Sequence, residues 1–191
     1  YLFTDLTNES MNLAFNKKEA DLRKDWLYKY DEKDILDSKA TKINVETFIH
    51  KELIHFSNSD TKRSIGSLYD GLKPSQRKIL YSCFKRNLYK EIRVAQLAGY
   101  VSENAAYHHG EASLQGAIIG MAQNFVGSNN INLLEPIGQF GSRILGGKDS
   151  AQPRYIHTKI PDIIPSVFKA EDNDILEYVD DDGFPVEPYF Y

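Results

Sequence analysis

The chain has 191 residues, enough for about one domain with room for an extension. Hydrophobic residues make up 41% and charged residues 26%, which are globular values and exclude disordered, collagen-like and membrane-protein compositions. The single cysteine excludes an intramolecular disulfide, and no apolar run approaches the roughly 18 residues of a membrane span. The chain starts at Tyr1 without a methionine, which suggests a piece of a longer protein.

The net charge of −4 is unevenly distributed along the chain. Residues 62–93 carry nine bases and two acids, whereas residues 170–191 carry eight acids and no base. The basic block can hold a polyanion, and it can equally be the solvated face of a helix. The acidic stretch can screen that block, mark a loop or belong to another module. Its spacing does not match a calcium loop, and we interpret it as a solvated acidic connector.

The N-terminal third predicts two helices. Residues 8–30 are charged with a thin apolar stripe, which predicts one exposed helix that leans on another part of the molecule. Thr47 can cap a second helix with an apolar face, and the polar residues 58–60 are expected to end it. Residues 64–72 are typical of a loop.

Three shorter helices and a few strands follow. Pro74 suits the first turn of a helix, and apolar spacing predicts further helices over 93–102 and 111–125. Glycine-rich loops then separate strand-like pieces at 131–134 and 154–158. This order favours a mainly α fold with a small β wing, the winged-helix variant of the helix-turn-helix, with the helix before Phe125 presented to a groove.

A histidine pair stands just before the last of these helices, in the sequence Tyr107-His108-His109-Gly110. Free backbone N–H groups at a helix N-terminus attract phosphate, and Ser113 in the first turn adds a hydroxyl group. Histidines can also hydrogen-bond a phosphate or move a proton near neutral pH. A capped loop explains the motif as well, and a metal pair is disfavoured because no third ligand is nearby.

The pair Arg154-Tyr155 could perform nucleophilic chemistry on a phosphodiester. A phenol with a pKa near 10 is a poor nucleophile unaided, and an adjacent arginine can stabilise the charge that develops on the phosphoryl oxygens. The chain has 12 tyrosines, however, and most must be packing or interface residues. Local chemistry alone therefore leaves the role of Tyr155 open.

A series of ordered motifs carries a family resemblance. They are Asp70-Gly71-Leu72-Lys73-Pro74-Ser75-Gln76-Arg77-Lys78, Val94-Ala95-Gln96-Leu97-Ala98-Gly99, Tyr107-His108-His109-Gly110-Glu111, Ala122-Gln123-Asn124-Phe125-Val126-Gly127-Ser128-Asn129-Asn130, Pro136-Ile137-Gly138-Gln139-Phe140-Gly141, Gly146-Gly147-Lys148-Asp149 and Pro153-Arg154-Tyr155-Ile156. Together they resemble the DNA-gate region of type IIA DNA topoisomerases, the eukaryotic type more than bacterial gyrase. The resemblance covers residues 8–160.

The resemblance implies roles for individual residues. Tyr155 matches the tyrosine that attacks DNA and becomes linked to a 5′ phosphate, and Arg154 matches the residue that stabilises the transition state. Arg63 and His109 match residues that also serve the phosphoryl centre, and Lys73 matches a lysine that contacts DNA. Further implied contacts to the DNA backbone are Arg77, Tyr107, His108 and Ser113.

The resemblance also implies domain limits, cofactors and partners. Residues 1–45 are expected to be a linker from a Toprim region, residues 46–160 a winged-helix DNA-gate domain with the active-site tyrosine, and residues 161–191 the start of a tower domain. The family binds Mg²⁺ in the Toprim domain and ATP in an ATPase domain, and neither pattern occurs here, so no metal ligand is expected in this segment. The implied partners are double-stranded DNA and a second copy of the chain in a homodimer, with no membrane, and the implied location is the nucleus.

The implied function is a transient double-strand break through a 5′-phosphotyrosyl intermediate, passage of another duplex and religation, dependent on ATP in the full enzyme. This segment alone is expected to be inactive. One alternative is a non-catalytic winged-helix DNA-binding module, which leaves the Arg154-Tyr155 pair unexplained. Another is a purely structural dimerisation piece.

Overall fold

The computed structural model covers residues 1–191 and divides by its chain contacts into two units, Tyr1–Ile65 and Gly66–Tyr191. The structure is mostly helical with two small sheets, as the sequence predicts. The domain limits after residues 45 and 160 stay predictions. None of the helices combines the length and the apolar character that crossing a membrane requires.

Two short helices open the first unit, where the sequence predicts one helix over residues 8–30. Helix α1 spans Thr7–Phe15 and helix α2 spans Ala20–Tyr28, with a 3-10 turn at Lys17–Glu19 between them. The single-helix prediction is wrong because Asn16 has an extended backbone, and its side-chain oxygen accepts a hydrogen bond from the N–H two residues on. An asparagine that bonds to nearby backbone in this way favours a helix boundary over a helix interior.

A continuous helical stretch closes the first unit. It consists of helix α3 at Val45–Phe48, a π-helical turn at Ile49–Leu53 and helix α4 at Ile54–Ser64. The predicted start at Thr47 and the predicted end at residues 58–60 are both wrong. Asparagine, serine and aspartate are only mildly unfavourable inside a helix, so contacts elsewhere override their propensity.

The core of the first unit is small. Trp26 from α2 packs with Ile49 and Ile54, and partly buried apolar side chains surround them. The indole N–H of Trp26 donates a hydrogen bond to Nδ1 of His50 at 3.0 Å, so its polar atom is satisfied although the ring is buried. One aromatic anchor therefore holds α2 against the helical stretch.

Three helices form the core of the second unit where apolar spacing predicts them: α5 at Pro74–Lys85, α6 at Val94–Asn104 and α7 at Glu111–Ala122. Pro74 occupies the first helical position of α5, as expected. The helices bury Ile79, Leu80, Cys83, Val94, Leu97, Ala98, Val101, Leu114, Ile118, Met121 and Ala122. Burial raises the pKa of the Cys83 thiol to about 12, which makes that cysteine an unreactive packing residue.

A small sheet lies beside these helices. Strand β1 at Ile92–Arg93 pairs antiparallel with strand β2 at His157–Thr158, and Ile137 adds one bridge to His157. The strand predicted at 154–158 is therefore shortened to its last two residues. Backbone from three distant parts of the chain meets here, so local sequence alone does not determine the pairing.

The strand predicted at 131–134 is wrong. The backbone N–H groups of Leu133 and Leu134 both donate to the carbonyl oxygen of Met121, at 3.1 and 3.4 Å, close to the C-terminal end of α7. A free carbonyl at a helix end thus takes the donors that a strand would offer to a neighbour.

The acidic C-terminal segment is folded rather than a solvated connector, so that interpretation is wrong. After the short helix α8 at Ile164–Val167, strands β3 at Tyr178–Asp181 and β4 at Phe184–Pro188 form an antiparallel hairpin. Asp182 and Gly183 form its two-residue turn with φ angles of 51° and 85°, the signs of a type I′ turn. Strand β4 packs against α5.

Candidate functional site

The pair Arg154-Tyr155 faces solvent from an anchored backbone. Tyr155 is 65% exposed, and the guanidinium carbon of Arg154 lies 4.9 Å from the centre of its ring. On the N-terminal side, the carbonyl of Pro153 accepts a hydrogen bond from the Ala95 N–H at 3.2 Å. On the C-terminal side, the carbonyl of the buried Ile156 accepts from the first residue of α6 at 3.0 Å. The start of α6 therefore fixes the backbone of a reactive-type pair whose side chains remain accessible.

The loop that leads to this pair, residues 138–152, has a tightly packed base. The side-chain amide of Gln123 donates to the carbonyl oxygens of Phe140 at 2.9 Å and Gly147 at 3.4 Å. A Cβ added to Gly141, whose φ is +102°, would lie 2.5 Å from the Gly147 backbone. Only glycine fits so close an approach at a positive φ, so the glycines of this motif have a structural reason.

A carboxylate closes the same loop. Oδ1 of Asp149 accepts a hydrogen bond from the Ser142 N–H at 2.8 Å, and this bond lowers the pKa of the Asp149 carboxyl below its ordinary value. The Ala151 N–H also donates to the Gln139 carbonyl at 2.9 Å. These contacts cross the loop at two levels and position the residues that precede Arg154.

The second predicted group lies at the start of α7. The ring of Tyr107 is buried, contacts the His109 ring edge-to-face at a centroid distance of 5.4 Å, and its hydroxyl lies 3.4 Å from Oγ of Ser113. The rings of His108 and His109 are exposed. Nε2 of His108 lies 3.8 Å from a carboxylate oxygen of Asp181 on the acidic hairpin. Three of the predicted residues are thus brought together, with imidazole nitrogens facing solvent beside free helix N–H groups.

The basic helix α5 is partly neutralised from inside the unit. Arg77 is buried, with Nε 3.1 Å from Oδ2 of Asp70, Nη1 donating to the Tyr189 carbonyl at 2.8 Å and Nη2 donating to the Leu72 carbonyl at 3.0 Å. These partners hold the guanidinium group within the fold. The implied contact of Arg77 with DNA stays a prediction, and it would require the side chain to leave these partners.

A second cation of α5 has an acidic partner in the hairpin. Lys78 forms a salt bridge with Glu187 and donates to the Ala105 carbonyl at 2.6 Å. Burial raises the pKa of the Glu187 carboxyl, an effect that the nearby Lys78 and Arg77 charges oppose. The C-terminal acids therefore screen part of the basic block.

Two predicted cations lie on the surface. Lys73 is exposed directly before α5, and its backbone N–H donates to Oε1 of Gln76 at 2.9 Å. Arg63 belongs to the first unit, in the last turn of α4, where it is half-exposed and bonds to Asp60 at 2.5 Å. Both side chains can exchange these partners for a phosphate at little cost, because exposed ion pairs contribute little.

The structure contains no group of three or more His, Cys, Asp or Glu side chains arranged to hold a metal ion. The residues present therefore do not fit the Mg²⁺ site of the family resemblance. This agrees with the sequence pattern, which contains no matching acidic cluster.

Sequence reasoning missed three residues that shape the site. Asp70 and Glu187 are the internal counter-ions of the basic block, and Gln123 ties the loop before Arg154. The opposite charges of residues 62–93 and 170–191 are a signal that these segments pair. No local pattern marks Gln123 as a loop anchor.

Comparison with known proteins decides the family. Residues 63–191 match the model of the family described as DNA gyrase/topoisomerase IV. The chain belongs to this family of type II DNA topoisomerases. Residues 3–61 match the C-terminal associated domain of TOPRIM.

Individual relatives narrow the resemblance to the eukaryotic type. The chain is 57% identical over 185 residues to a probable DNA topoisomerase 2 of Dictyostelium discoideum, and the match covers 96% of this chain and 12% of the relative. It is 52% identical over 194 residues to human DNA topoisomerase 2-beta, with 95% and 12% covered. The chain thus spans about an eighth of the length of these relatives, and the eukaryotic-type topoisomerase resemblance is confirmed.

A solved structure is similar over the whole chain. It is described as the DNA-binding, cleavage and re-ligation domain of Plasmodium falciparum topoisomerase II. The identity is 51%, the TM-score is 0.81, and the match covers 100% of this chain and 26% of that chain.

Proposed function

We propose that this chain is the part of a type II DNA topoisomerase that presents the DNA-cleaving tyrosine. The observation that carries the proposal is the exposed Arg154-Tyr155 pair on an anchored backbone. A relative described as a DNA-binding, cleavage and re-ligation domain supports it. The helical core and the small β1–β2 sheet support a winged-helix domain, with α7 as the helix presented to DNA.

The proposed chemistry is a transesterification. The phenolic oxygen of Tyr155 loses its proton and bonds to phosphorus, while the bond from phosphorus to the 3′ oxygen breaks and that oxygen takes up a proton. The tyrosine is then linked to the 5′ phosphate. Because one phosphoester bond replaces another, reversal of the step reseals the strand.

The neighbouring residues act on the charge of the phosphoryl group. The guanidinium group of Arg154 lies beside the Tyr155 ring and can give two hydrogen bonds to phosphoryl oxygens. His109 and Arg63 are proposed to serve the same centre, and Lys73 to contact the DNA backbone. His108 and Ser113 would add contacts at the start of α7, where helix N–H groups attract phosphate. Tyr107 is buried apart from its hydroxyl edge, so its contribution is to position His109 and Ser113.

The complete enzyme is proposed to need more than this chain. Mg²⁺ would add positive charge at the phosphoryl centre, with ligands from a Toprim domain, and ATP would be bound by an ATPase domain. Two copies of the chain would each cut one strand of a DNA duplex in a homodimer, and a second duplex would pass. The eukaryotic relatives favour a nuclear location.

The test is cleavage by a chimera in which residues 1–191 replace the matching segment of the Dictyostelium relative. With Mg²⁺ and end-labelled duplex DNA, Arg154→Ala should slow cleavage by about 10²–10³, which corresponds to about 2.7–4 kcal/mol of transition-state stabilisation. DNA affinity should change little because many phosphate contacts share the binding.

Normal cleavage with a large loss of binding would contradict the role given to Arg154. The chain of 191 residues by itself should bind DNA with an affinity that falls steeply with salt, and should not cleave it with Mg²⁺. Efficient cleavage by the chain alone would contradict the proposal that the metal ligands lie elsewhere. Salt-insensitive or absent binding would favour a structural role.

A further inference from the structure

The first unit contains a cleft, here called the acidic cleft, that takes no part in the proposed chemistry. Its volume is about 1110 Å³, and α1, α2 and the helical stretch after Asn44 line it. Six of the lining residues are acids, and Lys29 is the only lysine or arginine among them. The acids are Asp5, Glu9, Glu19, Asp25, Asp34 and Glu46.

Most of this negative charge has no partner within the chain. Among the six acids only Asp34 forms an ion pair, with Lys51 at 2.6 Å. Oε1 of Glu46 accepts from the Thr4 hydroxyl at 2.9 Å, but its Oε2 is buried and has no hydrogen-bond partner. A buried carboxylate oxygen without a donor is costly, so a donor that enters the cleft from outside would be stabilised there.

Apolar side chains lie between these acids. Trp26 and Ile54 are buried in the cleft wall, and Leu6 and Leu22 each remain 55% exposed. The volume exceeds the range of about 300–1,000 Å³ that is usual for small-molecule pockets. An apolar surface with an acidic edge suits an amphipathic segment of another protein that carries both cations and large apolar side chains.

We propose that the acidic cleft docks a basic amphipathic peptide segment of a protein partner. Its apolar side chains would cover Leu6, Leu22 and the Trp26 wall, and its lysines or arginines would face Glu9 and Asp25. Nucleic acid does not fit, because the carboxylates would repel its phosphates. A metal ion does not fit either, since these acids form no ligand group. The docking is independent of the DNA chemistry of the second unit.

The chain provides its own probe, because Trp26 is the single tryptophan. The experiment titrates the full chain with a helical peptide made only of leucine and lysine and follows tryptophan fluorescence. A saturable change is expected that weakens with salt. The variant Glu9→Gln/Asp25→Asn should weaken binding roughly tenfold, because each exposed charge pair is worth up to about 1 kcal/mol.

A matched control separates the cleft from the net charge. Asp172→Asn/Asp174→Asn removes the same charge from exposed positions in the second unit and should leave the affinity unchanged. Equal weakening by both double variants would overturn the proposal in favour of bulk electrostatics. Equal binding of a peptide of serine and lysine would overturn the apolar part. A fluorescence change on raising the chain concentration without peptide would assign the cleft to a second copy instead.

Discussion

Two groups of basic residues in the second unit have opposite environments. Arg77 and Lys78 on α5 are bound by Asp70, Glu187 and backbone carbonyls, and Arg77 is buried. Arg154 instead stands exposed beside Tyr155, with only its backbone neighbours held. The sequence motifs place both groups in one DNA-binding region, but only Arg154 is free to meet a ligand without breaking internal contacts.

The difference shows that charge in a sequence is not the same as charge available at a surface. The nine bases of residues 62–93 include cations that stabilise the fold by pairing with the acidic C-terminal segment. Changes at Arg77 and Lys78 should therefore alter stability, whereas changes at exposed cations should alter DNA binding or chemistry.

The largest stability effect is expected from Arg77→Ala. Removing a buried cation leaves Asp70 and two carbonyl oxygens without their donor, which should lower the free energy of unfolding by about 3–5 kcal/mol. Urea denaturation measures this loss. Lys90→Ala, an exposed cation in the same basic block, is the control and should change little. Equal small losses in both variants would remove the distinction between the two groups.

Gly141→Ala should disturb the loop that positions Arg154. The new Cβ would lie 2.5 Å from the Gly147 backbone at a positive φ, and a strained residue of this kind costs about 1–3 kcal/mol of stability. Gly116→Ala is the matched control, because its Cβ meets nothing within 4 Å in the exposed part of α7. That variant should stabilise the chain by about 0.5–1 kcal/mol, since alanine favours helix over glycine. Destabilisation by the control, or none by Gly141→Ala, would contradict the packing of the loop.

The pH dependence of stability should show whether burial or pairing dominates at Glu187. Because burial raises its folded pKa above the ordinary value of 4.5, the folded chain binds this proton more tightly than the unfolded chain. The stabilising contribution is then complete below pH 4.5 and is lost as the pH rises through the folded pKa. Unfolding free energies of wild type relative to Glu187→Gln should fall over that window. A rise would mean that Lys78 lowers the pKa more than burial raises it.

The smallest expected effect is that of Lys73→Ala. Lys73 is exposed before α5, so its removal should leave stability unchanged and reduce DNA affinity modestly. The slope of log affinity against log salt should fall by about one, the value for one lost phosphate contact. A salt titration of the chain with duplex DNA measures this slope. An unchanged slope would remove Lys73 from the DNA-binding surface.

The sequence predicts what local periodicity and family motifs can encode. Helices α5, α6 and α7 follow from apolar spacing, and the Arg154-Tyr155 pair follows from its motif. The break at Asn16 and the loss of the strand at 131–134 depend on side-chain and helix-end hydrogen bonds that periodicity does not contain.

The acidic segment is the larger error. Asp182-Gly183 is a strong hairpin signal between short apolar pieces, but the charge count of the segment favours a solvated stretch instead. The burial of Arg77 cannot be predicted locally, because its partner Tyr189 lies 112 residues away in the chain. Long-range pairing of this kind requires the fold.

Covalent trapping tests the role of Tyr155 most directly. The chimera with the Dictyostelium relative is incubated with Mg²⁺ and end-labelled duplex, denatured and examined for protein joined to the 5′ end, beside Tyr155→Phe and the equally conservative Tyr89→Phe, a half-exposed tyrosine in the basic block. We expect an adduct with wild type and Tyr89→Phe and none with Tyr155→Phe. An adduct with Tyr155→Phe would show that another residue is the nucleophile, and no adduct with any variant of a folded, DNA-binding chimera would show that the chain only binds DNA.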